Sequence, residues 1–195
     1  MQSNKTRVVA AHFDWVHTID RLKLAERLSA QRPEHLPPLQ VCLQVNISNE
    51  DSKSGVAPED TPALAEAVSQ LPRLRLRGLM AIPEPEGDFD AQRTPHRALA
   101  RLLFDLNASG HVLDTLSMGM SADLEAAVAE GATIVRVGSA IFGVLSCSSV
   151  RILLGIVRNT APAPRFWLKA LTRKRASLGI SNEKSVSKNL SLIHI

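Results

Sequence analysis

Short apolar runs alternate with longer segments of helical spacing through the first three quarters of the chain. The apolar runs have the length and composition of β-strands, and they cover residues 15–19, 39–47, 76–82, 115–118 and 134–138. The segments between them repeat apolar residues every three or four positions, as amphipathic helices do, and cover residues 20–31, 58–71, 90–109 and 121–130. This alternation predicts βα units built around a parallel sheet.

The length of these units favours a barrel over an open sheet. Five predicted strands within residues 1–143 give about 29 residues per unit, close to the roughly 31 of an eight-stranded βα barrel. An open, doubly wound sheet is the alternative, but the G-x-G-x-x-G fingerprint of its dinucleotide-binding members is absent. We therefore predict an α/β fold, a partial TIM-type (β/α) barrel that falls about three strands short of eight.

Charge is distributed unevenly along the chain. Residues 1–143 carry 14 Lys and Arg against 18 Asp and Glu, a net charge of −4, whereas residues 144–195 carry 9 against 1, a net charge of +8. The mildly acidic body is unlike a nucleic-acid-binding face. We predict a partial barrel over residues 1–143 and a basic, disordered tail over residues 144–195. The alternatives are a tail that binds nucleic acid or an anionic surface, or a tail that is not native coding sequence.

Composition excludes several classes of function. Two cysteines, Cys42 and Cys147, are too few for a disulfide scaffold and lack the spacing of a zinc site. No Ser–His–Asp or Cys–His arrangement is recognisable, so we assign no catalytic residue and no metal ligand. The polar N-terminal segment has no apolar signal region, which predicts a cytoplasmic protein without a membrane partner. Five histidines show no metal spacing and are interpreted as surface or helix-end residues: His12, His17, His35, His96 and His111.

Two segments at predicted strand ends have the composition of an anion site, and parallel α/β folds bind ligands at the C-terminal ends of their strands. The first segment is Ser117-Met118-Gly119-Met120-Ser121, which offers two hydroxyls, a glycine and, with Ser121 as the N-cap, the first N–H groups of a helix. The second is Arg136-Val137-Gly138-Ser139. Each segment alone also fits a plain strand-to-helix turn. Together they predict a phosphate-binding cup with these members: Ser117, Met118, Gly119, Ser121, Gly138 and Ser139.

Arg136 shares strand parity with Ile134 and Gly138, so its side chain is expected on the same side as the cup. A buried arginine needs a partner. A salt bridge to a core carboxylate is one option, and a contact with a ligand heteroatom or phosphate is the other.

Seven segments of the chain, in order and with matching spacing, resemble the pyridoxal phosphate homeostasis protein family. They are residues 2–5, 17–20, 44–47, 52–55, 77–82, 116–121 and 135–143. The most specific are the strings Ser-Met-Gly-Met-Ser and Arg-Val-Gly-Ser-Ala-Ile-Phe-Gly. The resemblance covers about residues 2–143 and does not extend into the tail.

This resemblance implies a single βα barrel like the N-terminal domain of alanine racemase, with pyridoxal 5′-phosphate (PLP) as its small-molecule ligand. Ser117, Ser121, Gly138 and Ser139 fall in the family's phosphate cup, and Arg136 would face the pyridine nitrogen. Members are regarded as monomeric carriers or regulators of PLP supply rather than established catalysts. The family's Schiff-base lysine and its first three strands precede the matching segments. We therefore expect an N-terminally truncated barrel that holds PLP without a covalent bond.

Two other functions stay open at this point. A PLP-dependent amino-acid racemase would need a lysine and a second acid–base group on opposite faces of the ring, and neither is identifiable. A protein that binds nucleic acid or a membrane surface would use the basic tail and not the body.

Overall fold

The computed structural model describes residues 1, 3–48, 54–84, 87–137 and 155–158. Within these ranges, six strands form one sheet in the order of the sequence. They are β1 (Trp15–Ile19), β2 (Leu39–Gln44), β3 (Leu74–Met80), β4 (Thr115–Ser117), β5 (Ile134–Val137) and β6 (Gly155–Arg158). Strands β1 to β5 pair in parallel, which confirms the five predicted strands, and β6 pairs antiparallel with β5.

Strand β6 was not predicted from the sequence pattern. The division at residue 143 and the disorder of the tail stay predictions, since residues 138–154 and 159–195 lie outside the described ranges.

Five α-helices accompany the strands in the described part of the chain. They are α1 (Thr6–His12), α2 (Leu22–Gln31), α3 (Thr61–Ser69), α4 (Phe89–Ala108) and α5 (Leu124–Ala129). Helix α1 was not predicted. The predicted cap at Ser121 is wrong, because α5 begins at Leu124 and Asp123 occupies the N-cap position. Within the part of the chain that the structure describes, no helix is both long enough and apolar enough to cross a membrane.

Parallel strands in sequential order place their connecting helices on one face of the sheet, because each crossover is right-handed. The outer face therefore supplies the apolar core, in which Val41, Leu79 and Val135 of the strands join Leu28 and Leu99 of the helices. This arrangement forms an arc of a (β/α) barrel and confirms the predicted partial TIM-type barrel. Side chains alternate along each strand, so the opposite, inner face carries a different set.

The inner face brings polar side chains together. His17, Ser117 and Arg136 are buried but lie outside the apolar core cluster. Gly78 lets β3 and β4 approach closely here, since it stands in register with Thr115 and a Cβ on Gly78 would overlap the Thr115 carbonyl.

A second buried arginine lies on the helical side of the sheet. Arg32 follows α2 and donates hydrogen bonds to the carbonyl oxygens of Ala10 (2.8 Å), Phe13 (2.7 Å) and Pro37 (2.8 Å). It joins α1 to the segment that enters β2. Its Nη2 has no hydrogen-bond partner among the described residues but lies 3.7 Å from Oδ1 of Asp14, so a carboxylate faces this nitrogen and we interpret Arg32 as a structural arginine.

Candidate functional site

Arg136 connects the ends of three neighbouring strands. From β5, its Nη1 donates to the carbonyl oxygen and to Oγ of Ser117, both at 2.8 Å, and its Nη2 donates to the carbonyl oxygen of Ala81 at 2.9 Å. Ser117 ends β4, and Ala81 directly follows β3. The guanidinium is therefore fixed at the C-terminal edge of the sheet.

No carboxylate of the described residues neutralises the charge of Arg136 by direct contact. Among the described residues no carboxylate forms an ion pair with it, and its Nε is buried without a hydrogen-bond partner. Burial lowers the pKa of Arg136 to about 10, and the charge of Asp123 opposes this shift only in part. Arg136 thus stays charged at neutral pH and keeps one N–H donor unused. An unused buried donor is costly in a folded protein and suggests a ligand.

His17 adds a neutral ring to the same network. Its Nδ1 lies 2.8 Å from Oγ of Ser117, and the residue is 1% exposed. Burial and, to a smaller extent, the charge of Arg136 lower the pKa of His17 to about 4. The ring is therefore neutral at physiological pH. Its Nε2 is the second buried nitrogen of this site that lacks a partner among the described residues.

The interpretation of His17 as a surface or helix-end residue is wrong. His17 lies in β1, on the face that meets Ser117. The sequence carries a signal for this position, because residue 17 stands in the middle of the predicted apolar strand of residues 15–19.

The turn after β4 contributes mainly backbone groups to the site. Gly119 has φ of +90°, a conformation that favours glycine, and its carbonyl oxygen accepts the Arg136 backbone N–H at 2.9 Å. The Met118 side chain is buried in the apolar core, so only its backbone faces the site. Ser121 is half-buried at the end of this turn. Gly138 and Ser139 lie outside the described residues, although β5 ends directly before them.

A second buried pair supports the turn from the helix side. Oδ1 of Asp123 accepts the backbone N–H of Met120 at 2.6 Å, and Oδ2 lies 2.9 Å from Nε2 of His96 on α4. Burial acts to raise the pKa of Asp123, but the hydrogen bonds from His96 and Met120 outweigh it and hold the pKa below its usual range. His96 is 1% exposed, so its interpretation as a surface or helix-end residue is also wrong.

The arrangement is suited to binding a polar ligand that accepts hydrogen bonds. It combines a fixed cation, a neutral imidazole, two buried nitrogens without partners and a glycine turn at neighbouring strand ends. Within the described ranges, no group of three or more His, Cys, Asp or Glu side chains could hold a metal ion.

Fold and site together define a (β/α)-barrel domain with a cationic site on its inner face. Residues 1–146 match the sequence model of the alanine racemase N-terminal domain family, and the chain belongs to this family.

Relatives of known name agree with this assignment. The pyridoxal phosphate homeostasis proteins of Pseudomonas aeruginosa and Escherichia coli K12 are 68% and 57% identical over 143 residues, which confirms the resemblance seen in the sequence. These alignments cover 73% of this chain and 61% of either relative, so the chain spans about three fifths of their length. The structure of PipY from Synechococcus elongatus with PLP bound is 36% identical, with a TM-score of 0.66, over 73% of this chain and 67% of that one.

Proposed function

We propose that this chain belongs to a PLP-binding homeostasis protein that carries or buffers the coenzyme and does not turn over a substrate. Relatives at 57% to 68% identity bear the name pyridoxal phosphate homeostasis protein, and PipY has been solved with PLP bound. The cytoplasmic location expected from the sequence is part of the same proposal.

The observation that carries the proposal is the Nε of Arg136 at the sheet edge, which is buried and has no hydrogen-bond partner among the described residues. The pyridine nitrogen of PLP is a hydrogen-bond acceptor, and an arginine N–H is a donor that keeps its proton at neutral pH. Bound PLP supplies an electron sink, and a charged arginine at the ring nitrogen weakens that sink by leaving the nitrogen unprotonated. Arg136 therefore favours storage of PLP over demanding carbanion chemistry.

The remaining members of the proposed site have distinct roles. Ser117 fixes Arg136 and His17, because both bond to its hydroxyl. Gly119 and Ser121 form the turn that would hold the phosphate, and Met118 contributes its backbone. Gly138 and Ser139 complete this cup in the proposal.

The direct test is equilibrium dialysis of the purified 195-residue chain against PLP, with pyridoxal as the ligand control. We expect saturable binding of one PLP per chain, at least tenfold weaker binding of pyridoxal because it lacks the phosphate, and full release of PLP on unfolding. Borohydride reduction followed by mass spectrometry should find no covalent adduct.

Three results would overturn the proposal. They are the absence of PLP binding, equal binding of PLP and pyridoxal, and a reduced adduct on a lysine such as Lys53.

A further inference from the structure

We propose that Asp123 and His96 form a positioning pair that holds the turn of residues 118–121 in its ligand-binding conformation. This inference rests on the proposed function and adds two residues that do not themselves touch the ligand. Neither residue belongs to the segments from which the phosphate cup was predicted.

The turn is held from two directions. On the sheet side, the Arg136 backbone N–H bonds to the Gly119 carbonyl oxygen at 2.9 Å. On the helix side, the Asp123 carboxylate accepts the next N–H along the chain, that of Met120, at 2.6 Å. The Gly119 carbonyl and the Met120 N–H belong to one peptide group, so this peptide is held from both sides directly after the positive φ of Gly119.

Through His96, the Asp123 carboxylate connects the turn to helix α4. His96 projects from α4 and contacts the second oxygen of Asp123 at 2.9 Å, across 27 positions of sequence. Both side chains are buried. A buried carboxylate needs hydrogen bonds to both oxygens, and here one oxygen bonds to the turn while the other bonds to a long helix. The position of the turn is therefore set relative to α4.

The chemistry of His96 is consistent with a fixed orientation. Its Nδ1 is buried and has no partner among the described residues. A ring that donates from Nε2 to Asp123 leaves only a lone pair at Nδ1, and burying an unpaired lone pair costs less free energy than burying an unpaired N–H.

The experiment compares dissociation constants for PLP and for pyridoxal in the full chain and its variants. Asp123→Ala should weaken PLP binding about tenfold, as expected for loss of one charge-assisted hydrogen bond, and change pyridoxal binding less than about twofold. Asp123→Asn should restore most of the PLP affinity, because its amide oxygen still accepts from Met120.

Asp88→Ala is the matched control. Asp88 caps α4 by accepting the N–H groups of Asp90 and Ala91, so its loss weakens the same helix without touching the turn. The ratio of the PLP and pyridoxal constants should stay at the wild-type value in this variant.

If Asp123→Ala weakens the binding of PLP and of pyridoxal equally, the pair has a merely structural role and the inference is overturned. Unchanged PLP binding in this variant would overturn it too. Should Asp123→Ala fail to fold, His96→Leu removes the other end of the link and must show the same selective loss. If the wild-type chain binds PLP and neither variant changes the ratio of the PLP and pyridoxal dissociation constants, the positioning pair is refuted and the proposed function is not. A wild-type chain that binds neither ligand refutes the proposed function as well.

Discussion

Replacing Arg136 by methionine is expected to weaken PLP binding about 10- to 100-fold, the range for loss of a hydrogen bond from a charged donor. The substitution removes the only donor that we assign to the pyridine nitrogen and releases the Ser117 hydroxyl, which Arg136 and His17 now share. Methionine retains the length and apolar volume of the stem. The measurement is the dissociation constant of PLP by equilibrium dialysis at neutral pH.

Arg32→Met is the matched control for this prediction. Arg32 is as deeply buried as Arg136 and also bonds to carbonyl oxygens, but it does so on the helical side of the sheet. The Arg32→Met substitution should lower the free energy of unfolding and leave the PLP affinity of the folded chain within about threefold of wild type. An Arg136→Met variant that binds PLP like wild type, or an Arg32→Met variant that loses binding to the same extent, would contradict the assignment.

Acidification from pH 7 to pH 4 is expected to lower the free energy of unfolding by about 3 kcal/mol through His17 alone. The pKa of His17 falls from an ordinary 6.5 to about 4 in the folded chain, chiefly through burial and then through the charge of Arg136. Between these values the unfolded chain binds a proton that the folded chain does not, so stability decreases as the pH falls. Each unit of this difference corresponds to about 1.4 kcal/mol.

Urea unfolding at several pH values separates this effect from other titrations. His17→Gln removes the titrating ring while retaining an amide that can bond to Ser117, so its stability should fall about 3 kcal/mol less than wild type between pH 6.5 and pH 4. His35→Gln, on the surface, should follow the wild-type curve. Parallel curves for His17→Gln and wild type would show that His17 is not held neutral by the fold.

Strand parity and repeat length predicted much of this fold, because both depend on local pattern. The alternation of β5 also predicts Arg136 on the inner face, where it bonds to Ser117. The contact of His17 with Ser117 joins β1 to β4, which are not neighbours in the sheet, so parity alone does not predict it. Alternation in β1 does place His17 on the face opposite to Val16 of the apolar core. A histidine within an apolar strand is therefore a signal of an inner-face contact and not of a surface position.

Other features of the site could not be read from the sequence. The contact between His96 and Asp123 spans 27 positions and depends on how α4 packs against α5. Helix α5 begins at Leu124 and not at the predicted Ser121, because the carboxylate of Asp123 bonds to Met120 and forms a separate turn before the helix. Local propensity carries no information on a tertiary contact such as that between His96 and Asp123.

The most direct test of the central claim is a nuclear magnetic resonance titration of the nitrogen-15-labelled chain with PLP. We expect the largest shifts at the backbone amides of residues 118–121 and at the side-chain Nε–H of Arg136, with saturation at one equivalent. Pyridoxal should shift the Arg136 Nε–H and leave the turn amides nearly unchanged. An Arg136 Nε–H that does not respond to PLP, or shifts confined to the helical side of the sheet, would contradict a coenzyme site at the ends of β4 and β5.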